Sequence, residues 1–469
     1  MSAHLDADVA IVGAGPAGSI AAALIAGEGF DVLLVDRHAF PRPKPCGDCL
    51  SPEASRVLDR LGVLEHVTAA GPARLEGWRV VGPSGAAFDA RFIDICDGDA
   101  RIASALAIER SRLDAVLLDH AVRAGARFAA PLHVTRLATR ENHMTRLECR
   151  VPARARAGSG TQHSPADWRC RAETVTIRAP LVIGADGLRS VIAREIGAHT
   201  RPPRRRKFSF TAHAAGVRDV TTIGELHVTD GACVGIAPVT SVASTSGSVD
   251  RVVEAPGRPP PRALPPSPQG RSSTPMCNVT LVVESGALDR APAADPVAFF
   301  AAMLERFPAL RGRLRDTSLV DHGMAGEPKP LLASGSFDRP ARRIAAGGVA
   351  LAGDAAGYFD PFTGQGIYHA LAGAEMLAHA ACRALERPST AQGEFLDYAR
   401  RYTRLVRPVH RVQRLIDEVL RRPALADAAI ARLGRRPLAA HALLAVTGDL
   451  RRPVSLLSPA VLLSLASPI

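Results

Sequence analysis

The stretch Asp8-Val-Ala-Ile-Val-Gly13-Ala-Gly15-Pro-Ala-Gly18 decides the fold of this chain. Its first five residues form a short β-branched run, which is typical of a strand buried on both faces. The alanine-rich residues 17–26 predict a helix, and residues 32–35 predict a second strand. A strand, a glycine turn, a helix and a second strand occur in this order in dinucleotide-binding βαβ units.

Each glycine of this turn has a physical role. Gly13 permits the tight turn, Gly15 lets the backbone approach a pyrophosphate, and Gly18 lets the helix pack closely on the strand. The free N–H groups at the helix N-terminus attract phosphate oxygens. Asp36, at the end of the second strand, is placed to accept hydrogen bonds from ribose hydroxyls. The pattern therefore predicts a dinucleotide site.

Two later stretches indicate that the dinucleotide is a flavin. Leu181-Val-Ile-Gly-Ala-Asp186-Gly187 and Val349-Ala-Leu-Ala-Gly353-Asp354 are apolar strands that lead into an aspartate. The second aspartate can bind a ribitol hydroxyl. Thr363-Gly-Gln-Gly-Ile367 then begins an alanine-rich helix over residues 368–385. The N–H groups of that helix can face a pyrophosphate or the flavin C2 carbonyl and stabilise the anion of reduced flavin.

Together these motifs resemble the FAD-dependent flavoproteins of the p-hydroxybenzoate hydroxylase fold. Arg110-x-x-Leu113-Asp114 adds a fourth marker, since that family places an arginine near the FAD at the start of a helix. Within the family, Lys44-Pro-Cys46-Gly47-Asp48-Cys49 and residues 353–368 look most like the geranylgeranyl reductase branch. The resemblance covers residues 8–385. It implies FAD as cofactor and NAD(P)H as electron donor.

The chain departs from its relatives at three motifs. Reductases of this branch commonly have Cys-Gly-Gly-Gly where this chain has Cys46-Gly47-Asp48-Cys49. Many ring hydroxylases have a histidine at the position of Gly357. Neither Trp78 nor Trp168 lies in the Trp-x-Trp-x-Ile-Pro motif of the halogenases of this fold, which disfavours halogenation.

The motifs and the resemblance together define the predicted cofactor-binding residues. They are Gly13, Ala14, Gly15, Pro16, Ala17, Gly18, Asp36, Arg37, Cys46, Gly47, Arg110, Asp186, Gly187, Gly353, Asp354, Pro361, Gly364, Gln365, Gly366 and Ile367.

Few side chains are candidates for catalysis. Cys46 is a weak one, and Cys46-x-x-Cys49 also has the spacing of a redox dithiol. The sequence has no second Cys or His pair at ligand spacing, so we expect no metal. His213 and His227 are interpreted as core or surface residues. Tyr358, Phe359 and Phe362 would line an apolar pocket or serve only in packing.

The predicted fold class is α/β, with a Rossmann-like FAD-binding domain, an inserted antiparallel-sheet substrate domain and a C-terminal helical region. The FAD-binding domain is discontinuous and comprises residues 1–75, 101–200 and 335–390. The substrate domain comprises 76–100 and 205–330, with a flexible Pro/Ser-rich insertion at 241–274. A second insertion, at 153–167, lies in the FAD-binding domain before the strand that leads to Asp186. In the helical region, 391–469, Pro408 and Pro423 should kink or break helices predicted at 394–415 and 416–433.

The net charge of +12 would suit nucleic acid or an anionic membrane. No nucleic-acid-binding module accompanies the arginines, so we expect no nucleic acid partner. Arginines 400–414 predict a solvated helix face; the alternative is a basic surface in peripheral contact with anionic lipid. The first eight residues lack a signal-peptide pattern and the cysteines are scattered, which favours a cytoplasmic protein with free thiols.

These observations predict an FAD oxidoreductase acting on an apolar substrate, which could be lipid-like, isoprenoid or polyketide-derived and aromatic. The reductase-like motifs favour reduction of a C=C bond. One alternative is an NAD(P)H-dependent monooxygenase of the same fold. A further alternative is a flavin electron-transfer component of a partner complex, which would need no organic substrate pocket.

Overall fold

The computed structural model describes residues 2–99, 102–141, 144–152, 173–198, 206–239, 276–288, 295–323 and 328–466. The insertions predicted at 153–167 and 241–274 lie outside these residues. Strands and helices are numbered below in chain order.

A six-stranded sheet carries the predicted dinucleotide motifs. Its order is β20 (Ala345–Ala346), β21 (Val349–Leu351), β13 (Leu181–Gly184), β2 (Val9–Val12), β3 (Val32–Val35) and β9 (Arg127–Ala129). All neighbours are parallel except β20 and β21. Every residue of β2, β3 and β13 is buried, as the continuous apolar runs predicted. The carboxyl ends of β2, β3, β13 and β21 meet at one edge, which brings the glycine turn together with the three aspartates Asp36, Asp186 and Asp354.

Two smaller sheets flank this one. The first has the order β1 (Ser2–Asp6), β12 (Thr174–Ala179), β11 (Met144–Arg150) and β10 (His133–Glu141). The second has the order β4 (Cys49–Leu50), β8 (Ala105–Ala107) and β5 (Ala73–Leu75). Through β4, the second sheet holds the Cys46–Cys49 loop close to the dinucleotide motifs.

An eight-stranded sheet forms the roof over those motifs, and we call it the roof sheet. Its order is β18 (Ser318–Leu319), β14 (Lys207–Ala215), β17 (Met276–Glu284), β16 (Ala232–Val239), β15 (Ile223–Thr229), β6 (Gly77–Val81) and β7 (Ala87–Arg91), with β19 (Leu332–Gly335) also paired to β14. The strands predicted at 208–210, 224–228, 233–236 and 279–283 all lie in it. The prediction of a purely antiparallel sheet is wrong at one place. The pair β6–β15 is parallel because β6 enters from a distant part of the chain rather than through a hairpin.

Twelve helices are described in the structure. They are α1 (Pro16–Gly27), α2 (Pro52–Arg60), α3 (Leu64–Ala69), α4 (Arg110–Arg123), α5 (Val191–Glu195), α6 (Ser285–Leu288), α7 (Pro296–Leu304), α8 (Gly366–Glu386), α9 (Ala391–Leu420), α10 (Pro423–Gly434), α11 (Pro437–Thr447) and α12 (Pro459–Ala466). No helix of the described residues combines the length and the apolar character that crossing a membrane requires.

Helix α9 corrects the predicted C-terminal organisation. It continues through Pro408 as one helix, so the predicted boundary between 415 and 416 is wrong, whereas Pro423 begins α10. Packing overrides the local cost of the proline: the Tyr398 hydroxyl donates to the carbonyl of Leu351 at 2.6 Å, and Gly373 of α8 leaves room for the ring of Tyr402. Arginines 400, 401, 404, 407, 411 and 414 are all exposed, as predicted for a solvated face.

Candidate functional site

A large cavity of about 700 Å³ lies between the parallel sheet, the roof sheet and the C-terminal helices. Most predicted cofactor residues line it; Ala14, Gly18 and Gln365 do not. The lining predicted residues are Gly13, Gly15, Pro16, Ala17, Asp36, Arg37, Cys46, Gly47, Arg110, Asp186, Gly187, Gly353, Asp354, Pro361, Gly364, Gly366 and Ile367. The tertiary fold therefore brings four separate motifs to one place.

Neighbouring backbone atoms lie so close to the glycine turn that two of its positions must be glycine. Gly13 has φ +102°, and a Cβ there would lie 2.4 Å from the carbonyl oxygen of Ala185. A Cβ on Gly18 would lie 1.8 Å from the carbonyl oxygen of Gly13. Neither position can carry a side chain, which explains both glycines without reference to a ligand.

Gly15 differs, because the groups nearest to it are two guanidinium groups and not backbone atoms. A Cβ at Gly15 would lie 3.7 Å from Nη2 of Arg110 and 3.8 Å from Nη2 of Arg42. Among the described residues, the buried Nε of Arg42 has no hydrogen-bond partner. Backbone N–H groups on one side and two guanidinium groups on the other form a cradle for a diphosphate.

Two aspartates hold these cations. Asp114, fully buried, accepts from Nε and Nη2 of Arg110 at 2.8 and 2.9 Å and lies 3.2 Å from Nη1 of Arg42. Burial opposes the charge of Arg110, but Asp114 outweighs it and the pKa of Arg110 is raised. Asp36 accepts from the N–H of Ala14 at 2.9 Å and from Arg42 at 3.4 Å. The carboxylate at the end of β3 therefore fixes the turn as well as facing the cavity.

The aspartate after β13 is used mainly by its own turn. Asp186 accepts from the hydroxyl of Ser190 at 2.5 Å and from the N–H of Val191 at 2.6 Å, so it caps α5. Burial raises the pKa of this carboxyl. Next to it, a Cβ on Gly187 would lie 3.2 Å from Nζ of Lys44. Burial and the nearby Arg110 lower the pKa of Lys44.

The third motif forms the opposite wall of the cavity. Gly353 and Asp354 lie in a 3₁₀ turn, and α8 begins at Gly366 directly beside the ring of Tyr358. The side chain of Gln365 is turned away: its amide donates to the carbonyl of Val446 at 3.1 Å and to Asp449 at 2.5 Å. Gln365 thus links the start of α8 to the C-terminal helices, and its predicted contact with a cofactor stays a prediction.

Several cavity residues were missed by the sequence analysis. Arg42 is a cation of the cradle, Lys44 lies beside Gly187, and Asp48 lies beside the predicted Cys46 and Gly47. Their only sequence signal was proximity to the cysteine motif. Asn278 and Trp78 line the cavity too, but nothing in their local sequence indicates it. Burial raises the pKa of the Cys46 thiol, which disfavours a reactive thiolate at this position.

The open Gly15 cradle, the unpartnered Arg42 nitrogen and the aspartates at the strand ends fit FAD. A model of the FAD-binding domain matches residues 6–250, more than half of the chain. The chain belongs to this FAD-binding family. The match agrees with the FAD cofactor that the resemblance implied.

Curated relatives cover limited parts of this flavoprotein. Menaquinone reductase of Mycobacterium tuberculosis is 57% identical over 63 residues, which are 13% of this chain and 15% of that protein. Digeranylgeranylglycerophospholipid reductase of Methanosarcina acetivorans is 28% identical over 197 residues, 41% of this chain and 40% of that protein. The chain thus matches less than half the length of either relative.

Solved structures share the fold over nearly the whole chain. A geranylgeranyl bacteriochlorophyll reductase-like protein from Thermoplasma acidophilum has a TM-score of 0.70 at 18% identity and covers 98% of both chains. The flavin-dependent halogenase CmlS has a TM-score of 0.66 at 20% identity and covers 86% of this chain and 63% of its own. At these identities the likeness extends to the fold alone.

Proposed function

We propose that this flavoprotein reduces a carbon–carbon double bond of an apolar, isoprenoid-like substrate, with NAD(P)H as the electron donor. The observation that carries the proposal is the lining of the cavity, which beyond the FAD cradle consists of apolar side chains that we call the apolar arm. One wall of the arm is the roof sheet and the other is formed by α10 and α11. Its lining residues include Trp78, Val80, Phe88, Leu226, Ile236, Ala429, Ile430, Leu433, Leu443 and Leu444.

An arm of this composition suits a long hydrocarbon. Burying apolar surface contributes about 25 cal/mol per Å², so a chain of several isoprene units would gain most of its affinity there. The names of the two curated relatives, which describe reductases of menaquinone and of a digeranylgeranylglycerophospholipid, support the same substrate class. We extend the proposal to a cytoplasmic location, which the free thiols of the described cysteines support.

The chemistry divides between the cofactor and the chain. FAD, when bound, supplies the hydride chemistry that side chains lack. Arg42 and Arg110 would hold the diphosphate, and the N-terminus of α8 would stabilise negative charge near the flavin. The apolar arm orients the substrate and excludes water.

The test is an anaerobic single turnover. The holoenzyme is reduced with NADPH or NADH and mixed without oxygen with menaquinone or with a geranylgeranyl-chain lipid. We expect flavin reoxidation and, after any quinol has been reoxidised with ferricyanide, a product whose isoprenoid chain keeps two added hydrogens, measured by mass spectrometry. Absence of reoxidation with either lipid would contradict the proposal. A product that gains an oxygen atom only when air is admitted would support the monooxygenase instead.

The electron-transfer alternative has less support. A flavin that only passes electrons to a partner complex needs no substrate cavity, whereas the arm here extends well past the cradle. In the same experiment, an electron-transfer component would leave the C=C bonds of both isoprenoid chains unreduced while it reduces an artificial one-electron acceptor.

A further inference from the structure

Asp48 occupies an unusual backbone position at the cavity wall. Its φ is +58°, in the left-handed region that favours glycine, and its side chain is fully buried. The backbone is held there by the N–H of Ile108, which donates to the Asp48 carbonyl at 2.9 Å. The N–H of Arg110 donates to Oδ1 at 3.2 Å. A strained, buried carboxylate persists only where its surroundings enforce it, and such positions cluster at functional sites.

The carboxylate of Asp48 begins a chain of hydrogen bonds that leads away from the cavity. Its Oδ2 lies 2.6 Å from Nε2 of His213, and Nδ1 of His213 lies 2.8 Å from Nε2 of His322. Both ring nitrogens of His213 are therefore engaged. His213 is 3% exposed, whereas His322 is half-buried, so the chain connects the cavity with the surface.

The roof sheet holds Asp48, the end of the hydrogen-bond series that lies at the cavity. Asn278 lies opposite His213 in the β14–β17 register. Its amide donates to Asp48 Oδ2 at 2.6 Å and to the carbonyl of Cys46 at 2.7 Å. The side-chain oxygen of Asn278 accepts from Thr280 at 2.7 Å. Asp48 and Asn278 both line the cavity next to the Cys46–Gly47 loop.

The charges around the hydrogen-bonded residues Asp48, His213 and His322 favour a proton on the imidazole of His213. Burial lowers the pKa of His213, but the hydrogen bond and charge of Asp48, with Glu109, outweigh burial and raise it overall. Burial and repulsion from His213 lower the pKa of His322, although Glu109 and Asp321 act against this. A proton that enters at the surface is therefore drawn inward, toward Asp48.

We propose that Asp48, His213 and His322 form a proton relay between solvent and the flavin side of the cavity. His322 takes a proton on Nδ1 and passes the proton of Nε2 to Nδ1 of His213. His213 then passes the proton of its own Nε2 to Asp48. Each ring ends with its proton on the other nitrogen, and Asp48 ends neutral, so one proton has moved inward. The relay depends on the part of the proposed function that states that bound FAD is reduced and reoxidised. It does not depend on which organic substrate FAD reduces.

A metal site is the competing interpretation. One ligand atom from each of Glu109, His213 and His322 lies within 4.8 Å of the others. The hydrogen bonds of His213 to His322 and to Asp48, however, leave neither nitrogen of His213 free for an ion. The arrangement therefore favours proton transfer.

The relay is tested by the proton uptake that accompanies flavin reduction, which requires no organic substrate. The holoenzyme is photoreduced anaerobically in weak buffer with a pH-indicator dye. We expect uptake to slow at least about tenfold in His213→Gln and His322→Ala relative to wild type. Added imidazole should restore the rate in His322→Ala, because it replaces the missing proton carrier at the surface.

The matched control is His227→Gln. His227 is also buried in the roof sheet and bonded to a carboxylate, Glu225, at 2.7 Å, but it does not line the cavity. Its uptake rate should equal that of wild type. Unchanged uptake in His322→Ala, whose half-buried position tolerates truncation, would overturn the relay. So would stoichiometric zinc in the purified protein that is lost in His322→Ala.

Discussion

At its polar end the cavity is bounded by backbone and cations from short stretches around residues 13–18 and 36–44. At its apolar end it is bounded by Trp78, Leu226, Ile430 and Leu444, which come from two strands and two helices far apart in the chain. The polar end depends on local backbone geometry, since Gly13 and Gly18 admit no Cβ. The apolar end depends on how the roof sheet and the C-terminal helices pack against each other.

The difference teaches which substitutions should separate cofactor binding from substrate binding. A change in the glycine turn should remove FAD and leave the roof sheet folded. A change in the roof sheet or the C-terminal helices should leave the FAD site intact.

The largest expected effect comes from Gly15→Val. The new side chain would occupy the space between the turn and the guanidinium groups of Arg42 and Arg110, where we place the diphosphate. We expect FAD affinity to fall at least about 100-fold, measured by flavin fluorescence on titration of the apoprotein. Gly27→Val is the control, because nothing lies within 4 Å of a Cβ at that end of α1. A Gly15→Val protein that copurifies with full flavin would show that the cradle is misassigned.

The second prediction concerns the roof sheet. Glu225 accepts from Nη1 and Nη2 of Arg313 at 2.7 and 2.8 Å and is bonded to His227. Burial would raise the pKa of Glu225, but Arg313 and His227 lower it to about 2 from 4.5. Glu225→Gln should therefore reduce the free energy of unfolding at neutral pH by about 2 kcal/mol, with FAD affinity unchanged.

The stabilisation that Glu225 contributes should depend on pH in a definite direction. Because the folded-state pKa is depressed, the stabilisation is complete above the unfolded value of 4.5 and is lost as pH falls toward 2. The difference in melting temperature between wild type and Glu225→Gln should shrink over that range. Glu76→Gln, which affects an exposed pair with Arg91, should change little. A constant difference across this pH range would contradict the assigned ion pair.

The third prediction addresses the apolar arm. Ala429 lines the arm, whereas the neighbouring Ala428 on the same helix is exposed. Ala429→Trp should raise the KM for a geranylgeranyl-chain substrate about tenfold, because the ring fills the volume that the hydrocarbon needs. Ala428→Trp should leave KM unchanged, and both variants should retain FAD. Equal KM values in the two variants would place the substrate elsewhere.

The smallest expected effect comes from Pro408→Ala. Proline inside α9 removes one helix hydrogen bond and crowds the preceding turn. Alanine should therefore stabilise the protein by about 1 kcal/mol, seen as a higher melting temperature. FAD affinity should not change, since Pro408 is outside the cavity lining. A lower melting temperature would mean that Pro408 makes packing contacts that outweigh the lost hydrogen bond.

The sequence predicted the parallel sheet and its strands closely because their signals are local. The apolar run at residues 8–12 and the glycine turn each restrict the backbone within a few residues. The break predicted near Pro408 was wrong because the cost of a proline is local, whereas the packing of Tyr398 and Tyr402 against the FAD-binding lobe is not. Arg42 was not predicted, because its position depends on ion pairs with both Asp36 and Asp114, which are far apart in the sequence.

By itself, the sequence determined a dinucleotide-binding βαβ unit, because the glycines at 13, 15 and 18 act within one turn and Asp36 directly follows the second strand. The two later aspartate motifs and the family resemblance then indicated FAD. Only the tertiary structure decided what lies beyond the flavin. Asp48, His213 and His322 are far apart in the chain, and no local pattern marks them as neighbours. Hydrogen bonds between such residues form only after the roof sheet has packed on the FAD-binding lobe.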